Sequence, residues 1–200
     1  MQLFLTYSSP FARAVRIVIQ EHKLQSCISG HFSHPFQNHE ELTSSNPLGK
    51  VPCLVLDNGL TIMDSEVICS YLDMQLGDGR LSKEVNNSWN LRTLYSLTSG
   101  LTETLVQRQI EKVRERGGLR SEFWWLRYNS AISRTLDFLE SRVVQIPGAL
   151  SMLHINLGSA LSYLDFRHAD LNWRSQRPQL TALSGALEAQ ESFDVTPLHE

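Results

Sequence analysis

The sequence predicts an α/β domain with the element order βαβ-α-ββα, followed by an all-α domain. Up to about residue 76, short apolar segments of strand length alternate with segments of helical periodicity. An Asn58-Gly59 turn joins the last two predicted strands, which makes these strands antiparallel. After Gly77-Asp78-Gly79, apolar residues recur at steps of three and four, which is typical of amphipathic helices.

The α/β domain is predicted over residues 1–77. Its elements are a strand over 2–6, a helix over 10–22, a strand over 27–32, a polar loop or short helix over 37–43, a hairpin of 53–56 with 60–63, and a helix over 64–76. The N-terminus reads as the first strand, because it has neither the basic region nor the cleavage site of a signal peptide. A cytoplasmic location is therefore expected.

The all-α domain is predicted over residues 86–200, after a linker over 78–85. The apolar stripes of its helices are Leu94, Leu97, Leu101 and Leu105 in the first, Tyr128, Ile132, Leu136, Leu139 and Val143 in the second, and Ile155, Leu157, Leu161 and Leu164 in the third. We interpret Trp89, Trp124 and Trp125 as core residues of this domain, because large aromatic side chains are mostly buried.

The composition limits the function classes. The chain is 42% apolar, but no apolar run approaches the roughly 18 residues of a membrane span. The formal net charge is −3 and the densest basic stretch alternates with acidic residues, so no nucleic-acid surface is indicated. Cys27, Cys53 and Cys69 form no Cys-x-x-Cys pair, which argues against a dithiol motif and a zinc ribbon. We expect each cysteine to be a small buried hydrophobe.

The most informative segment is residues 46–54, followed ten residues later by Asp64-Ser65. Pro52 removes a backbone donor and makes a cis Val51-Pro52 bond plausible, which would turn backbone groups outward for an extended peptide. Asp64 and Ser65 begin a helix, and helix starts bind carboxylates through free amides and the positive end of the dipole. Alone, Asp64-Ser65 would be an ordinary N-cap pair. With Val51-Pro52 upstream, it predicts a site for a small zwitterionic peptide.

Together, these segments resemble the cytosolic glutathione S-transferases, and most closely the bacterial YibF-like group. The resemblance rests on the element order, on the Ser8-Ser9-Pro10-Phe11-Ala12-Arg13 segment after the first strand, on residues 46–54, on Asp64-Ser65, and on residues 160–167. It spans nearly the whole chain. It implies a thioredoxin-like N-terminal domain that binds glutathione and an all-helical C-terminal domain with a hydrophobic pocket for a second substrate.

The resemblance also implies where glutathione is held. The γ-glutamyl carboxylate is expected at Ser65 and the start of its helix, and the γ-glutamyl ammonium at Asp64. The cysteinyl backbone is expected to pair with Val51, whose orientation Pro52 sets. Lys50 could approach the glycyl carboxylate or point to solvent.

Other side chains are expected around the same ligand. His31, His34 and His39 lack the spacing of metal ligands, so no metal site is expected. His34 or His39 could instead contact the glycyl carboxylate. Phe11 is expected to line the pocket.

Ser9 is our first choice for the group that activates the glutathione thiol. A thiol with a pKa near 8.5 is only about 3% thiolate at pH 7, and a pKa lower by about two units raises this to about 75%. A hydroxyl donor and the start of the helix at Pro10 could supply that shift. Tyr7 and Ser8 stay open as alternatives. A serine here favours conjugation or peroxide reduction over thiol-disulfide exchange, which would need a cysteine.

The function implied by the resemblance is that of a glutathione transferase acting on a small electrophile. Leu101, Leu105 and Arg108 are expected to line its second-substrate pocket. A glutathione-dependent peroxidase and a non-catalytic module that binds a protein partner remain alternatives. Glutathione is the expected cosubstrate, no nucleic-acid or membrane partner is expected, and a homodimer is expected.

One helix start departs from the family pattern. Many members have Ser or Thr followed three residues later by Asp, which is a capping box. Here Ser151 is followed by His154, which is not a charged acceptor. We therefore expect this helix start to be weaker or differently paired.

Overall fold

The computed structural model describes all residues from 1 to 200 and divides into two compact units. The N-terminal unit comprises Met1–Glu84 together with Gln190–Glu200, and the helical unit comprises Val85–Ala189. No helix in either unit combines the length and the apolar character that crossing a membrane requires.

The N-terminal unit contains a four-stranded mixed sheet. Its strands are β1 (Gln2–Leu5), β2 (Ser29–Phe32), β3 (Cys53–Val55) and β4 (Thr61–Ile62). They lie in the order β2-β1-β3-β4, with β1 parallel to β2 and antiparallel to β3, and β3 antiparallel to β4. The predicted βαβ-α-ββα order and the antiparallel hairpin are confirmed.

Helices cover this sheet because their apolar faces need a partner. They are α1 (Pro10–Glu21), α2 (Glu40–Ser45) and α3 (Ser65–Tyr71), and α3 continues into a π-helical turn over Leu72–Leu76. Phe4 of β1, Leu42 of α2 and Cys53 of β3 form one buried cluster. This packing holds the strand ends and the helix starts that carry the candidate site.

A fourth helix, α4 (Arg80–Asn86), occupies most of the predicted linker. Its first amides, from Leu81 and Ser82, donate to the carboxylate of Asp73 at 3.2 and 2.9 Å. Asp73 is 0% exposed and also bonds His22 Nε2 at 2.8 Å. The predicted linker is therefore a short helix, capped by Asp73 from the π-helical turn that precedes it.

Residues 190–200 pack within the N-terminal unit, although the sequence predicts them in the helical domain. They include α9 (Glu191–Asp194), which contacts α1. Phe193 anchors α9 because its side chain is completely buried. Chain order alone does not reveal this return, since it depends on a contact between residues far apart in sequence.

The helical unit contains α5 (Trp89–Glu115), α6 (Glu122–Glu140), α7 (Met152–Arg167) and α8 (Pro178–Glu188). α5 packs on both α6 and α7, and α7 is buried along most of its length. The three helices predicted from apolar stripes are confirmed. None of the predicted apolar stripes corresponds to α8.

Several side chains predicted to be buried are exposed. Trp89 is 81% exposed and Trp124 is 43% exposed, so their interpretation as core residues is wrong. Trp89 is the first residue of α5 and precedes the apolar stripe, and Trp124 lies in the first turn of α6. Cys27 is also exposed, because it lies in the loop before β2.

The departure at Ser151 has a structural counterpart. Ser151 is the N-cap of α7, but its hydroxyl bonds His154 Nδ1 at 2.9 Å instead of a helix amide. Both residues are buried. The expected different pairing of this helix start is therefore confirmed.

Candidate functional site

The sheet register brings the predicted site segments to one edge of the N-terminal unit. Phe4 of β1 is opposite Cys53 of β3, so residues 51 and 52 continue alongside the end of β1. Leu54 of β3 is opposite Ile62 of β4. Residue 64, which follows β4, therefore reaches the same end of the sheet on the other side of β3 from β1. Strand ends that share an edge of a sheet present their following loops together. The Ser8-Ser9 turn, Val51-Pro52 and Asp64-Ser65 all start from this edge.

Ser9 lies at the start of α1. It is the N-cap residue, and its Oγ accepts a hydrogen bond from the amide of Ala12 at 3.2 Å. Its side chain is half-buried. A serine hydroxyl has one hydrogen to donate and two acceptor lone pairs, so Ser9 can cap α1 and still donate to a ligand.

The two alternative donors are placed differently. Ser8 is half-buried and precedes the cap. The Tyr7 ring stacks with His199 at 4.7 Å between ring centroids and with Phe32 at 6.4 Å. These contacts hold Tyr7 against residues of its own unit. Nothing in the sequence indicated that His199 lies near this site.

Val51 lies in the turn before β3 and is half-buried. The Val51-Pro52 bond is cis, as the sequence made plausible. Asn46 is buried and organises the turn through its side chain. Its Nδ2 donates to the Lys50 carbonyl at 2.9 Å, and its Oδ1 accepts from the Leu48 backbone amide at 3.0 Å. The sequence indicated residue 46 only as part of the 46–54 segment. Its role in holding the turn is visible only in the structure.

Asp64 and Ser65 form the start of α3. Asp64 is the N-cap, and its Oδ1 accepts from the amide of Glu66 at 3.0 Å. Ser65 is the first helical residue and is half-buried. The N-cap interpretation is therefore correct for Asp64. It is compatible with ligand binding, because the cap uses one carboxylate oxygen of Asp64 and one amide, and the other amides of the first turn have no partner within the helix.

The other predicted glutathione contacts, Phe11, His34, His39 and Lys50, are all at least partly exposed. Lys50 is exposed and Phe11 is half-buried. His34 Nδ1 accepts from the amide of Phe36 at 3.3 Å, and His39 Nε2 bonds Gln37 Oε1 at 2.8 Å. The imidazoles of His34 and His39 thus have separate local partners.

One group of side chains has metal-ligating atoms close together. The ligand atoms of His22, Asp73 and Asp78 lie within 4.8 Å of one another. The Asp73 carboxylate already accepts from His22 and from two amides of α4. The cluster is explained by capping of that helix.

The two buried cysteine thiols, of Cys53 and Cys69, are poor nucleophiles. Burial raises the pKa of Cys53, next to the cis bond, to about 11. Burial, followed by the negative charges of Asp64 and Asp73, raises the pKa of Cys69. Because the thiolate is the reactive form, chemistry at this edge needs a thiol from outside the chain.

The structure does not support the second-substrate pocket at Leu105 and Arg108. Leu105 is completely buried and Arg108 is only 1% exposed. The Arg108 guanidinium donates to Asn129 Oδ1 at 2.6 Å and to Asp170 Oδ2, and it lies 4.1 Å from the centroid of the Trp125 ring. These contacts within the helical unit leave Arg108 no free donor face, so its role is structural.

Leu101, the third predicted pocket residue, lines an open groove along α5. The groove has a volume of about 650 Å³. Trp89 and Leu97 contribute apolar surface, and Arg92 lies 5.0 Å over the Trp89 ring. Leu101 is itself only 2% exposed, so it forms part of the floor of this groove and most of the open surface belongs to the other lining residues.

Comparisons with known proteins agree with this fold. A sequence profile for the glutathione S-transferase N-terminal domain matches residues 8–75. The chain is 31% identical to the "uncharacterized GST-like protein YibF" of Escherichia coli (strain K12), over 96% of this chain and 96% of that protein. The chain therefore belongs to the glutathione S-transferase family.

Two solved structures are particularly informative. A glutathione transferase family member from Pseudomonas fluorescens Pf-5, with bound glutathione, has a TM-score of 0.92 and 31% identity over 100% of this chain and 99% of that chain. A glutathione S-transferase from Methylobacillus flagellatus, also with glutathione bound, has a TM-score of 0.84 and 26% identity over 99% of both chains.

Proposed function

We propose that this chain binds glutathione in its N-terminal unit and transfers it to a small electrophile. One observation supports this function most directly. The sheet register brings the Ser9 helix start, the cis Val51-Pro52 bond and the Asp64-Ser65 helix start to the same edge. The glutathione-bound relatives support the choice of ligand.

The three segments match the groups of glutathione that must be held. The amides at the start of α3 and the Ser65 hydroxyl suit the γ-glutamyl carboxylate, and the Asp64 carboxylate suits the ammonium. The Val51 backbone suits pairing with the extended cysteinyl residue. The exposed ammonium of Lys50 suits the glycyl carboxylate at the far end.

Ser9 then stabilises the thiolate. Its hydroxyl donates to the sulfur while its oxygen accepts from Ala12, and the positive end of α1 adds to the effect. A thiol pKa lower by about two units corresponds to about 2.7 kcal/mol. The thiolate attacks an electrophilic carbon. With a chlorinated nitrobenzene, a C–S bond forms, chloride leaves with the electrons of the C–Cl bond, and the thiol proton passes to solvent.

Isothermal titration calorimetry with glutathione tests the binding step. Calorimetry is preferable to intrinsic fluorescence because all four tryptophans lie in the helical unit. We expect Ser65→Ala to weaken binding about tenfold, since a hydrogen bond to a charged group is lost. The exposed Ser130→Ala, in the helical unit, is the matched control and should bind as the wild type does. Absence of binding at several millimolar glutathione would overturn the proposal.

Two substitutions at Ser9 separate its cap role from its thiol role. Ser9→Ala costs about 1 kcal/mol of helix capping, whereas Ser9→Gly costs only a few tenths. Both variants remove the hydroxyl, so both should lose the ultraviolet thiolate absorbance of bound glutathione while keeping most of the affinity. Thiolate absorbance that survives in both variants would assign the donor role to Ser8 or Tyr7.

The type of reaction is tested with two substrates. Conjugation of a chlorinated nitrobenzene supports the transferase, and reduction of an organic hydroperoxide without conjugation would favour the peroxidase.

Detoxification, a cytoplasmic location and a homodimer are proposed from family membership. Light scattering after size-exclusion chromatography should give twice the chain mass, and the mass of one chain would contradict the homodimer.

A further inference from the structure

Residues 195–200 are anchored beside the start of α1 within the N-terminal unit. Arg13 of α1 is 1% exposed, and its Nε donates to the Thr196 carbonyl at 2.9 Å. A second guanidinium nitrogen of Arg13 donates to the Phe193 carbonyl at 3.2 Å. A buried, charge-assisted pair of this kind fixes the path of the backbone that it holds. The anchor directs the following residues towards the turn that carries Ser9.

The same residues then contact Tyr7. Arg16 donates to the Pro197 carbonyl at 3.1 Å, and its guanidinium lies 5.0 Å over the Tyr7 ring. The His199 ring stacks on Tyr7 with its centroid 4.7 Å away and an interplanar angle of 16°. The His199 amide also points to the Tyr7 carbonyl, at 3.4 Å. Tyr7 is thus held by both its ring and its backbone.

Tyr7 is two residues before Ser9 in the turn between β1 and α1, and Ser9 Oγ accepts from the Ala12 amide at the other end of that turn. Within the turn, the Ser9 amide donates to the Thr6 carbonyl at 3.3 Å, and Ser8 is only half-buried. Loops between a strand and a helix are mobile unless their residues are packed. Because only Ser8 separates Tyr7 from Ser9, a shift of the Tyr7 backbone would be transmitted to the backbone of Ser9.

We infer that His199 is a positioning residue for the thiol site, acting through Tyr7 on the orientation of Ser9. This inference rests on the proposed function, because it concerns the same glutathione thiolate. We assign His199 no catalytic role, because the contact of its ring is with Tyr7. Its contribution is the stacked contact, which a phenylalanine ring can also make.

The expected effect follows from the strength of an aromatic pair. Loss of such a contact typically changes an equilibrium by about three- to tenfold. If that energy holds Ser9 towards the sulfur, His199→Ala should raise the pKa of the bound glutathione thiol by about half a unit to one unit. It should lower kcat/KM for a chlorinated nitrobenzene by about three- to tenfold below the thiol pKa.

The experiment measures thiolate absorbance against pH for the wild type, His199→Ala, His199→Phe and Val195→Ala, each saturated with glutathione. His199→Phe should keep the wild-type thiol pKa, because it keeps the ring. Val195→Ala is the matched control on the same segment, since Val195 is exposed. Calorimetry should show nearly unchanged glutathione affinity in all four proteins.

The outcomes distinguish this inference from the proposed function. An unchanged thiol pKa in His199→Ala would overturn it, even if the melting temperature falls, because only folding would then depend on the contact. A His199→Phe variant as impaired as His199→Ala would also overturn it. If the wild type binds no glutathione, the proposed function fails, and this inference fails with it. Glutathione binding and a thiolate signal in the wild type, with a raised pKa in His199→Ala alone, support both.

Discussion

Acidification is expected to destabilise the helical unit through His168. This residue is 0% exposed, its Nε2 donates to the Leu105 carbonyl at 3.0 Å, and its Nδ1 accepts from Arg108 at 2.8 Å. Only a neutral imidazole can make both bonds, because Nδ1 must lack a proton. Burial, followed by the positive charges of Arg108 and Lys112, lowers the pKa of His168 from 6.5 to about 4.

The sign and size of the effect follow from proton linkage. The unfolded chain takes up a proton at His168 near pH 6.5, while the folded chain does so only near pH 4. The contribution of His168 to stability is therefore complete above pH 6.5, declines as the pH falls, and stops declining below about pH 4. Its loss amounts to about 2 kcal/mol at pH 5 and about 3 kcal/mol in full.

The neighbouring acid does not titrate in the same pH range. Burial acts to raise the pKa of Asp170, but hydrogen bonds from Arg108 and Lys112 outweigh it and lower this pKa to about 2. Asp170 therefore keeps its charge between pH 7 and pH 4. Of the two titrating side chains in contact with Arg108, only His168 therefore contributes to the loss of stability in this range.

Urea unfolding followed by tryptophan fluorescence is the appropriate assay, because all four tryptophans report on the helical unit. We compare the free energy of unfolding at pH 7.5 and pH 5 for the wild type, His168→Gln and the exposed His39→Gln. The wild type and His39→Gln should lose about 2 kcal/mol more than His168→Gln does. Equal losses in all three proteins would refute the neutral buried state of His168.

Three further predictions concern close packing and thiol exposure. Gly77→Ala should lower the free energy of unfolding by about 1–3 kcal/mol, because the added Cβ would lie 2.5 Å from the His22 ring. Gly100→Ala, the same change in open space within α5, should raise it by about 0.5–1 kcal/mol, and urea unfolding that ranks the two variants the other way would contradict both. A disulfide reagent should titrate only Cys27 in the folded chain and all three thiols in urea, and a second fast thiol in the folded chain would contradict the burial of the other two cysteines.

Elements that depend on local chemistry could be predicted from the sequence. The hairpin follows from Asn58-Gly59, where Gly59 has a φ of 84° and the Asn58 side chain accepts from the Leu60 amide. The start of α1 follows from Ser9 and Pro10, and the cis bond was plausible from Val51-Pro52. In each case the residues that determine the conformation are neighbours in sequence.

Elements that depend on distant contacts could not be predicted. The buried Asp73 caps the short helix α4, whose own sequence offers only one apolar pair at helical spacing, Leu81 and Val85. In the sequence, Arg108 lies between Gln107 and Gln109, and it was expected to line the second-substrate pocket. Its use by Asn129 and Asp170 is visible only in three dimensions.

Local sequence patterns were enough to predict the two-part architecture, the family resemblance and the residues that we propose to bind glutathione. It could do so because hydrophobic periodicity, turn chemistry and helix caps act over a few residues. Only the tertiary structure decided that residues 195–200 return to Tyr7, that Leu105 and Arg108 are internal, and that His168 is held neutral. These properties depend on long-range packing and on burial among charges, which local sequence patterns do not encode.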